Sequence, residues 1–369
     1  MNNPKKLRFA ILGCGFWAKY QLPAWLELEG IEIVALYNRD LDKAQELALQ
    51  YNIPHCYEDA EELFKNEQLD FVDIITNVET HEYFTLMAAK YGIPVITQKP
   101  MANSLWAAKR MLDTCNKCNV PLFIHEGFRW QAPIRRLKEV MDNGIIGQPF
   151  KARVSFSSAF PVFVNQPFLA DLEKFIITDI GSHILDVCRF LFGEAESLYC
   201  LTQTINKKIK GEDVANIFMK MQSGLHCIAE MSYSSILEKE AFPQTLILVE
   251  GNDGSVQLTH DFLLKITTKK GTTSSIIKPI LYKWLDPAYS VVHSSIVDCN
   301  RNLLQAIQGT GKAETTGEDN FKTVKLVWAA YDSARENKVI ILKDYENVLN
   351  MKIEDSIKYN GKHDGLVNT

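Results

Sequence analysis

Apolar residues recur with two different periods along the first third of this chain. Short runs rich in β-branched residues, Leu7–Leu12, Ile31–Tyr37, Phe71–Thr76, Pro94–Thr97 and Pro121–Ile124, read as strands. Between them, Asp42–Tyr51, Glu79–Tyr91 and Ser104–Cys118 carry apolar residues at spacings of three and four, the period of an amphipathic helix. Strands that alternate with helices need crossover connections, which are right-handed, and so predict a parallel sheet. Pro23 falls inside the helix expected after the first strand. It removes a backbone donor there and predicts a kink or a short break.

Past Pro149 the texture changes. Longer strand-like runs, Lys151–Ser158, Leu198–Ile205, Val214–Met221, Cys227–Tyr233 and Leu246–Glu250, are separated by turn formers such as Gln222-Ser223-Gly224 and Gly251-Asn252-Asp253-Gly254. Such turns between strands are hairpin signals, so this part predicts a mainly antiparallel or mixed sheet. One helical segment, Thr178–Phe192, interrupts the strands, and two more, about Ser294–Gln308 and Asp319–Asn337, follow them. No internal repeat or low-complexity tract is visible. The polar stretch from about Asn350 reads as a loosely held tail.

At 369 residues the chain exceeds the size at which a single core keeps growing, and about two domains are expected. Its 46% hydrophobic and 23% charged residues are ordinary for a folded globular protein, which excludes disordered, collagen-like and membrane classes. A net charge of -5 supplies no basic field, so neither nucleic acid nor a membrane is an expected partner. Lys5-Lys6-Leu7-Arg8 ahead of an apolar run imitates a secretion signal, but Gly13 and Gly15 interrupt that run and a cytoplasmic protein is expected. Eight cysteines are too sparse for a disulfide scaffold and read as reduced thiols. The one C-x-x-C, Cys115 and Cys118, lies late in a predicted helix with no second pair at zinc spacing, so no metal site is expected.

Gly13-Cys14-Gly15-Phe16-Trp17-Ala18 is a G-x-G-x-x-A fingerprint set directly between a strand and a helix. In that setting the first glycine permits the tight turn, the second admits the backbone to a pyrophosphate, and Ala18 lets helix and strand pack closely. The free N–H groups of the helix start then hold the anion. Gly13, Gly15, Phe16 and Trp17 are therefore candidate dinucleotide contacts; an ordinary strand-to-helix turn is the alternative. The second strand ends at Asn38-Arg39-Asp40, where many NAD-binding folds place an acid on the ribose hydroxyls. Here the candidates are Asn38 and Arg39. An arginine pairs with a 2′-phosphate, which favours NADP, yet it also stacks on adenine, so NAD stays open. Asp40 is expected to cap the next helix.

Two further strand ends reach the same edge, the side on which open α/β sheets bind ligands. Thr76, Asn77 and His81 follow one of them and are candidate cofactor contacts, or simply a helix start. Gln98-Lys99-Pro100 follows the other, and a lysine there offers three donors and a positive charge to a substrate hydroxyl or developing alkoxide. A strand-end lysine is otherwise solvated surface. Farther on, Thr178–Asp186 looks like a helix start whose spacings of four and three put Asp179, His183 and Asp186 on one face. A carboxylate one turn from an imidazole orients it, and His183 would accept a hydroxyl proton while the adjoining C–H leaves as hydride. Hydride chemistry belongs to the cofactor, so the protein need supply only orientation and a proton acceptor. A capping aspartate and a buried histidine are the structural alternative, and the dinucleotide motif tips the reading towards chemistry.

With these residues the chain resembles the Gfo/Idh/MocA family of oxidoreductases over nearly its whole length. The likeness rests on the Gly13–Ala18 fingerprint, Gln98-Lys99-Pro100, His125–Gln131, Gly144-Ile145-Ile146-Gly147, Asp179–Asp186 and Glu314–Glu318, in that order. The resemblance implies an α/β protein with an N-terminal Rossmann parallel sheet and a C-terminal α/β domain bearing a large open, mostly antiparallel sheet, whose exposed face makes a homodimer or homotetramer. The corresponding division is an NAD(P)-binding domain at 1–128, a substrate and oligomerisation domain at 129–345 and a tail at 346–369.

The same resemblance implies that Lys99 contacts substrate and nicotinamide, that Asp179 and His183 orient the substrate and act as acid/base, and that Arg129 and Trp130 line the site near the nicotinamide. Gln98 joins them as a cofactor contact. Two residues depart from the family pattern: the common E-K-P is Gln98-Lys99-Pro100 here, and Gly127 stands where a subgroup's E-N-F-R-W-Q has asparagine. Neither removes a proton-transfer group, so both bear on substrate class more than on activity. The expected activity is an NAD(P)-dependent dehydrogenase or reductase acting on a CH–OH carbon of a sugar, polyol or related small molecule. The rivals are a non-catalytic dinucleotide-binding regulator and a redox-assisted glycosidase, and steady net cofactor turnover separates them from it.

Overall fold

The computed structural model describes residues 6–345, so the candidate tail at 346–369 and Lys5 lie outside the described residues. The chain forms two compact units. The first comprises the chain up to Asn143 with Leu258–Lys265 and Thr273–Lys325; the second comprises Gly144–Gln257, Ile266–Thr272 and the chain from Leu326 on.

The first unit begins with strict alternation: β1 (Leu7–Leu12), α1 (Ala18–Leu26), β2 (Ile31–Tyr37), α2 (Leu41–Tyr51), β3 (His55–Tyr57), α3 (Ala60–Asn66), β4 (Phe71–Ile74), α4 (His81–Lys90), β5 (Val95–Gln98), α5 (Leu105–Lys117) and β6 (Leu122–His125). The strands pair in parallel in the order β3-β2-β1-β4-β5-β6, so the direction of winding reverses between β1 and β4. This is the Rossmann order. Strands covered on both faces read as unbroken apolar runs, and Phe9, Ala10, Ile11 and Leu12 of β1 are all fully buried. The rings of Phe9 and Phe71 stack 4.4 Å apart, with Trp25 of α1 beside them at 5.1 and 5.6 Å.

Three local expectations change. Helix α1 passes through Pro23 without a break, because Leu22, Pro23, Ala24 and Trp25 are all buried and tertiary packing offsets the missing donor. Asp40 stands at the N-cap of α2 but its side chain makes no capping bond; its carboxylate lies 3.4 Å from Lys43 instead. Strand β3 and helix α3 have no counterpart in the sequence reading, since three residues are too few to show a period. Asp59 does cap α3, accepting from the N–H groups of Glu61 and Glu62 at 2.7 and 3.4 Å.

The next elements are α6 (Ala132–Asp142), β7 (Pro149–Ser157), α7 (Val162–Asn165), α8 (Ile176–Phe192), β8 (Ala195–Gln203), β9 (Val214–Met221), β10 (His226–Ser232), β11 (Leu246–Gly251), β12 (Gly254–Thr259), β13 (Leu263–Thr268) and β14 (Gly271–Ile276). Helices α9 (Ser290–Ile307) and α10 (Gly317–Glu336) and the short β15 (Ile340–Ile341) complete the described chain. The second sheet has nine strands in the order β14-β13-β12-β11-β7-β10-β9-β8-β15. Its mostly antiparallel pairing includes one parallel pair, β7 with β10. Period-two burial marks one covered face: Ala152, Val154 and Phe156 on β7, Ile217 and Met219 on β9, Cys227 and Ala229 on β10. Helix α8, nearly all of it buried, packs on β7, β9 and β10. Strands β12, β13 and β14 were not legible; β14 is exposed at every position and its Gly-Thr-Thr-Ser-Ser-Ile lacks apolar alternation.

All eight cysteines are free, and no described helix is long and apolar enough to cross a membrane.

The first unit carries one carboxylate into its core. Asp73 of β4 is 0% exposed, and its Oδ2 accepts from Trp25 Nε1 at 2.6 Å and Gln21 Nε2 at 3.0 Å, both from α1. Burial pushes this carboxyl up from its ordinary 3.8 to about 6, against the opposing pull of those two donors. The folded state therefore holds the proton more tightly than the unfolded chain. The stability it contributes is complete below the ordinary value and is lost as pH rises through about 6. Asp73→Asn keeps an oxygen for Trp25 and Gln21 and abolishes that titration. Urea unfolding from pH 4 to 8 should show the parent losing of order 3 kcal/mol relative to the variant, most of it before pH 6.5. A pH-independent difference would show that Asp73 does not titrate this way.

Candidate active site

The turn from β1 into α1 is shaped by two glycines with opposite surroundings. Gly13 has φ +112°, and a Cβ there would lie 2.9 Å from the backbone of Ile75 and Thr76 just past β4, so the turn and the β4 end meet without room for a side chain. Gly15 is exposed, and a Cβ there would meet nothing within 4 Å. Gly13 N–H donates to the Tyr37 carbonyl at 2.8 Å, and Cys14 N–H to Asn38 Oδ1 at 3.2 Å. Helix α1 has neither a side-chain cap nor an acidic residue in its first turn, whereas α2 to α5 each have one or the other. An uncapped N-terminus with open space beside it fits the pyrophosphate of a dinucleotide.

The remaining nucleotide candidates divide into exposed residues and residues already engaged. Arg39 is exposed at the tip of β2, while Asn38 is committed to the turn, its Nδ2 donating to the Asp40 carbonyl at 2.9 Å. Phe16 is exposed and packs edge-on to Trp17 and Tyr20; Tyr20 in turn stacks on His293 of α9, centroids 3.9 Å apart. Asn77 is exposed after β4, and Thr80 starts the following helix, with its Oγ1 on Thr76 Oγ1 at 2.8 Å. His81 is turned inward. Its Nε2 lies 3.0 Å from the Thr76 carbonyl and its Nδ1 3.0 Å from the Pro100 carbonyl, so the ring fastens two loops together rather than presenting itself to a ligand.

Lys99 follows β5, and its backbone is held from beneath. Its N–H donates to Gln98 Oε1 at 3.0 Å, while Gln98 Nε2 lies 3.3 Å from His125 Nδ1 and 3.5 Å from Gln21 Oε1. Gln21 Nε2 donates to Asp73 and, at 3.1 Å, to Asn300 Oδ1 of α9. Burial drives His125 down to about 4, so the ring is neutral; with the Gln98 amide nitrogen facing it, Nδ1 is the acceptor of that contact. Gln98 thus lies inside the unit, under Lys99. The sequence signal for this chain of groups was a lone Asp in the apolar run Phe71–Thr76, which gave no hint of its partners.

Arg129 and Trp130, expected to line the site near the nicotinamide, are both engaged by other side chains and backbone of the chain. The buried Arg129 guanidinium donates to the Glu314 carbonyl at 3.1 Å and to Asp319 Oδ2 at 3.0 Å. The Trp130 ring lies under Arg135, 3.5 Å from centroid to guanidinium carbon, and Arg135 pairs with Glu314 Oε1 at 2.9 Å. These two residues secure the 314–319 turn.

In the second unit, Asp179 occupies the first turn of α8, with His183 one turn further on and 8% exposed. Tyr233, just past β10, donates to Asp179 Oδ2 at 3.4 Å; burial, then the Asp179 charge, hold its phenol well above its ordinary range, so it stays a donor. The start of α8 comes two residues earlier than Thr178, because Glu212 accepts from the N–H groups of Phe175 and Ile177 at 3.3 and 3.2 Å. Asp186 is fully buried and lies 3.9 Å from Arg189, itself bound by Glu194 at 2.8 Å. Tyr233 and Glu212 were missed, since nothing local marks a residue whose partner lies elsewhere in the chain.

The parallel sheet and its glycine turn define the class, a dinucleotide-binding oxidoreductase of the Rossmann type. Residues 7–126 match the oxidoreductase family with the NAD-binding Rossmann fold, and residues 134–257 match the GFO/IDH/MocA C-terminal domain. The chain belongs to the Gfo/Idh/MocA family. It is 40% identical to a D-apiose dehydrogenase of Paraburkholderia graminis, over 93% of this chain and 91% of that one. Another, from Rhizobium rhizogenes, is 40% identical over 92% of this chain and 98% of its own. The crystal structure of an oxidoreductase from Agrobacterium radiobacter in complex with NAD+, L-tartaric acid and magnesium superposes with a TM-score of 0.90 at 40% identity, covering 92% of this chain and 99% of that one.

The two glycines separate folding from cofactor binding. Gly13→Ala is expected to lower the unfolding free energy by roughly 1–3 kcal/mol from backbone strain alone, more with the steric clash. Gly15→Ala should leave the melting temperature within a degree or two while weakening NADH binding, measured by fluorescence titration, by roughly tenfold or more. Equal effects of both changes on stability would contradict this division.

Proposed function

We propose that the protein is an NAD(P)-dependent sugar dehydrogenase that oxidises a CH–OH carbon, with D-apiose the first substrate to test. The observation that carries this reading is Lys99 at the carboxyl edge of the nucleotide-binding sheet, its backbone fixed by the buried Gln98. The substrate class follows from the two relatives at 40% identity that are named for D-apiose.

In this reading Lys99 donates to the reacting oxygen and stabilises its developing negative charge. His183 accepts the hydroxyl proton, and Asp179 orients the substrate and the imidazole from one helical turn away. The nicotinamide, when bound, accepts the hydride. Each turnover thus removes one proton and one hydride from the sugar, leaving a carbonyl or lactone carbon. Arg39, exposed at the tip of β2, favours NADP, while the related Agrobacterium structure was solved with NAD+. The kcat/KM ratio for the two cofactors, in the parent and in Arg39→Ala, decides between them.

We also assign the protein to the cytoplasm, on its eight free cysteines, and to a homodimer or homotetramer. The open face of the second sheet exposes Leu201 and Phe218 and holds a shallow depression of about 440 Å³ bordered by Tyr199, Phe218, Ile228 and Val339. A monomeric mass in sedimentation velocity would end that assignment.

Lys99→Met and His183→Ala should each bind NADH like the parent and lose roughly 10²–10⁴-fold in kcat on the sugar. Parent-like turnover in both variants would remove these roles.

A further inference from the structure

We infer that His293 of α9 is a positioning residue for the cofactor turn: its ring, stacked on Tyr20, holds the first turn of α1 and the exposed Phe16 in the form that receives the dinucleotide. This role rests on the reading of Gly13–Ala18 as the dinucleotide turn and extends the site to a helix that returns to the first unit after the second sheet.

Hydrogen bonds fix the turn at its two ends. Gly13 and Cys14 are tied to the end of β2 through the Tyr37 carbonyl and Asn38 Oδ1. Ala18 N–H donates back to the Gly15 carbonyl at 3.2 Å, and the Trp17 carbonyl takes the N–H groups of Tyr20 and Gln21 at 3.0 and 2.9 Å to start the helix. No side chain caps α1, and a helix of nine residues is too short to be stable by its own propensity. What orients the stretch from Gly15 to Trp17 is therefore the packing of the rings it carries.

Phe16, Trp17 and Tyr20 form an edge-to-face trio, with centroids 5.4 to 5.9 Å apart and ring planes 68° to 78° to one another. Phe16 is 43% exposed, whereas His293, on which the trio rests, is 6% exposed. His293 stacks on Tyr20 at 3.9 Å and 22°, meets Trp17 edge-on at 6.3 Å and has Tyr289 at 5.8 Å. Aromatic pairs are directional, so a ring held in place sets the tilt of the next. Helix α9 is itself anchored along α1. Asn300 Oδ1 accepts from Gln21 at 3.1 Å, and Trp284 Nε1, in the segment leading into α9, donates to Glu27 at 3.0 Å at the C-terminal end of α1. Burial pulls His293 down to about 4, so the ring is neutral beside a turn that takes an anion. Its Nδ1 is buried with no hydrogen-bond partner among the described residues, so the ring acts on its neighbours through its face and edge.

Fluorescence titrations of the intact chain with NADH test the role. His293→Ala should weaken binding by about three- to tenfold, the range one aromatic pair is worth, and His293→Phe, which restores a ring, should recover most of the loss. A Phe variant as weak as the Ala variant would assign the effect to the imidazole nitrogens and overturn positioning by stacking. Tyr20→Ala should cost about as much as His293→Ala, and the double variant less than the product of the two, because both remove the same pair. A full product would show that the two rings act separately and would also overturn it. Parent-like NADH affinity in His293→Ala, with only a lowered melting temperature, would reduce the ring to core packing. In that event, weakened binding in Gly15→Ala leaves the dinucleotide turn standing without its positioning residue, whereas parent-like binding in Gly15→Ala removes the turn reading as well. If His293→Ala does not fold, His293→Leu, which fills the space without a flat ring, takes its place with the same expected weakening.

Discussion

A carboxyl group placed in the middle of a parallel sheet loses its water and is tolerated only where donors replace it. Asp73 meets that condition through Trp25 and Gln21, and the residues that satisfy it are the ones that hold the carboxyl edge of the sheet together. From Asp73 the hydrogen bonds pass through Gln21 to Asn300 and to Gln98, and from Gln98 to His125 and to the backbone of Lys99. Helices α1 and α9 and strands β4, β5 and β6 are thereby fixed to one another by buried polar contacts. Apolar packing alone leaves such elements freer to slide, because dispersion is not directional.

The second unit follows the same logic by other means. Helix α8 brings Asp179 and His183 into its first two turns, and its start is set by Glu212, a residue from a separate stretch of chain that accepts the N–H groups of Phe175 and Ile177. The Tyr331 hydroxyl donates to the same carboxylate at 2.7 Å. Tyr233 then fixes Asp179 from the end of β10, its ring stacked on Phe175 at 5.6 Å. A side chain on the first turn of a helix inherits the precision with which that helix begins. Here a remote acid sets it, whereas Asp59 and Ser104 set the starts of α3 and α5 locally.

That contrast explains what was legible in the sequence. The strands β1 and β2 and the helices α2 and α5 announce themselves by period, because their burial depends on their own apolar residues. The glycine turn was readable for the same reason, since a backbone at φ +112° against the β4 end requires Gly13 whatever else the chain does. Local rules misled at Pro23 and Asp40, where tertiary packing and a surface pairing override the residue's usual habit. They offered His81 as a cofactor contact, left Arg129 to the family resemblance, and were silent on Glu212 and Tyr233. Each of these is defined by a partner from another loop or element, and no spacing along the chain encodes that partner.

Gln98 shows how one residue type is selected by such a network. Its side chain accepts from the Lys99 amide and directs its nitrogen at two acceptors, His125 Nδ1 and Gln21 Oε1. An amide can do both at once, whereas a carboxylate has no proton to donate. A glutamate at 98 would need His125 to switch to the tautomer that carries its proton at Nδ1, and would face the oxygen of Gln21 with a negative charge. It would also add a second buried acid within reach of Asp73's partner. The departure from the E-K-P pattern thus suits a His125 that accepts at Nδ1, and it leaves the backbone of Lys99 bound without adding charge beside it.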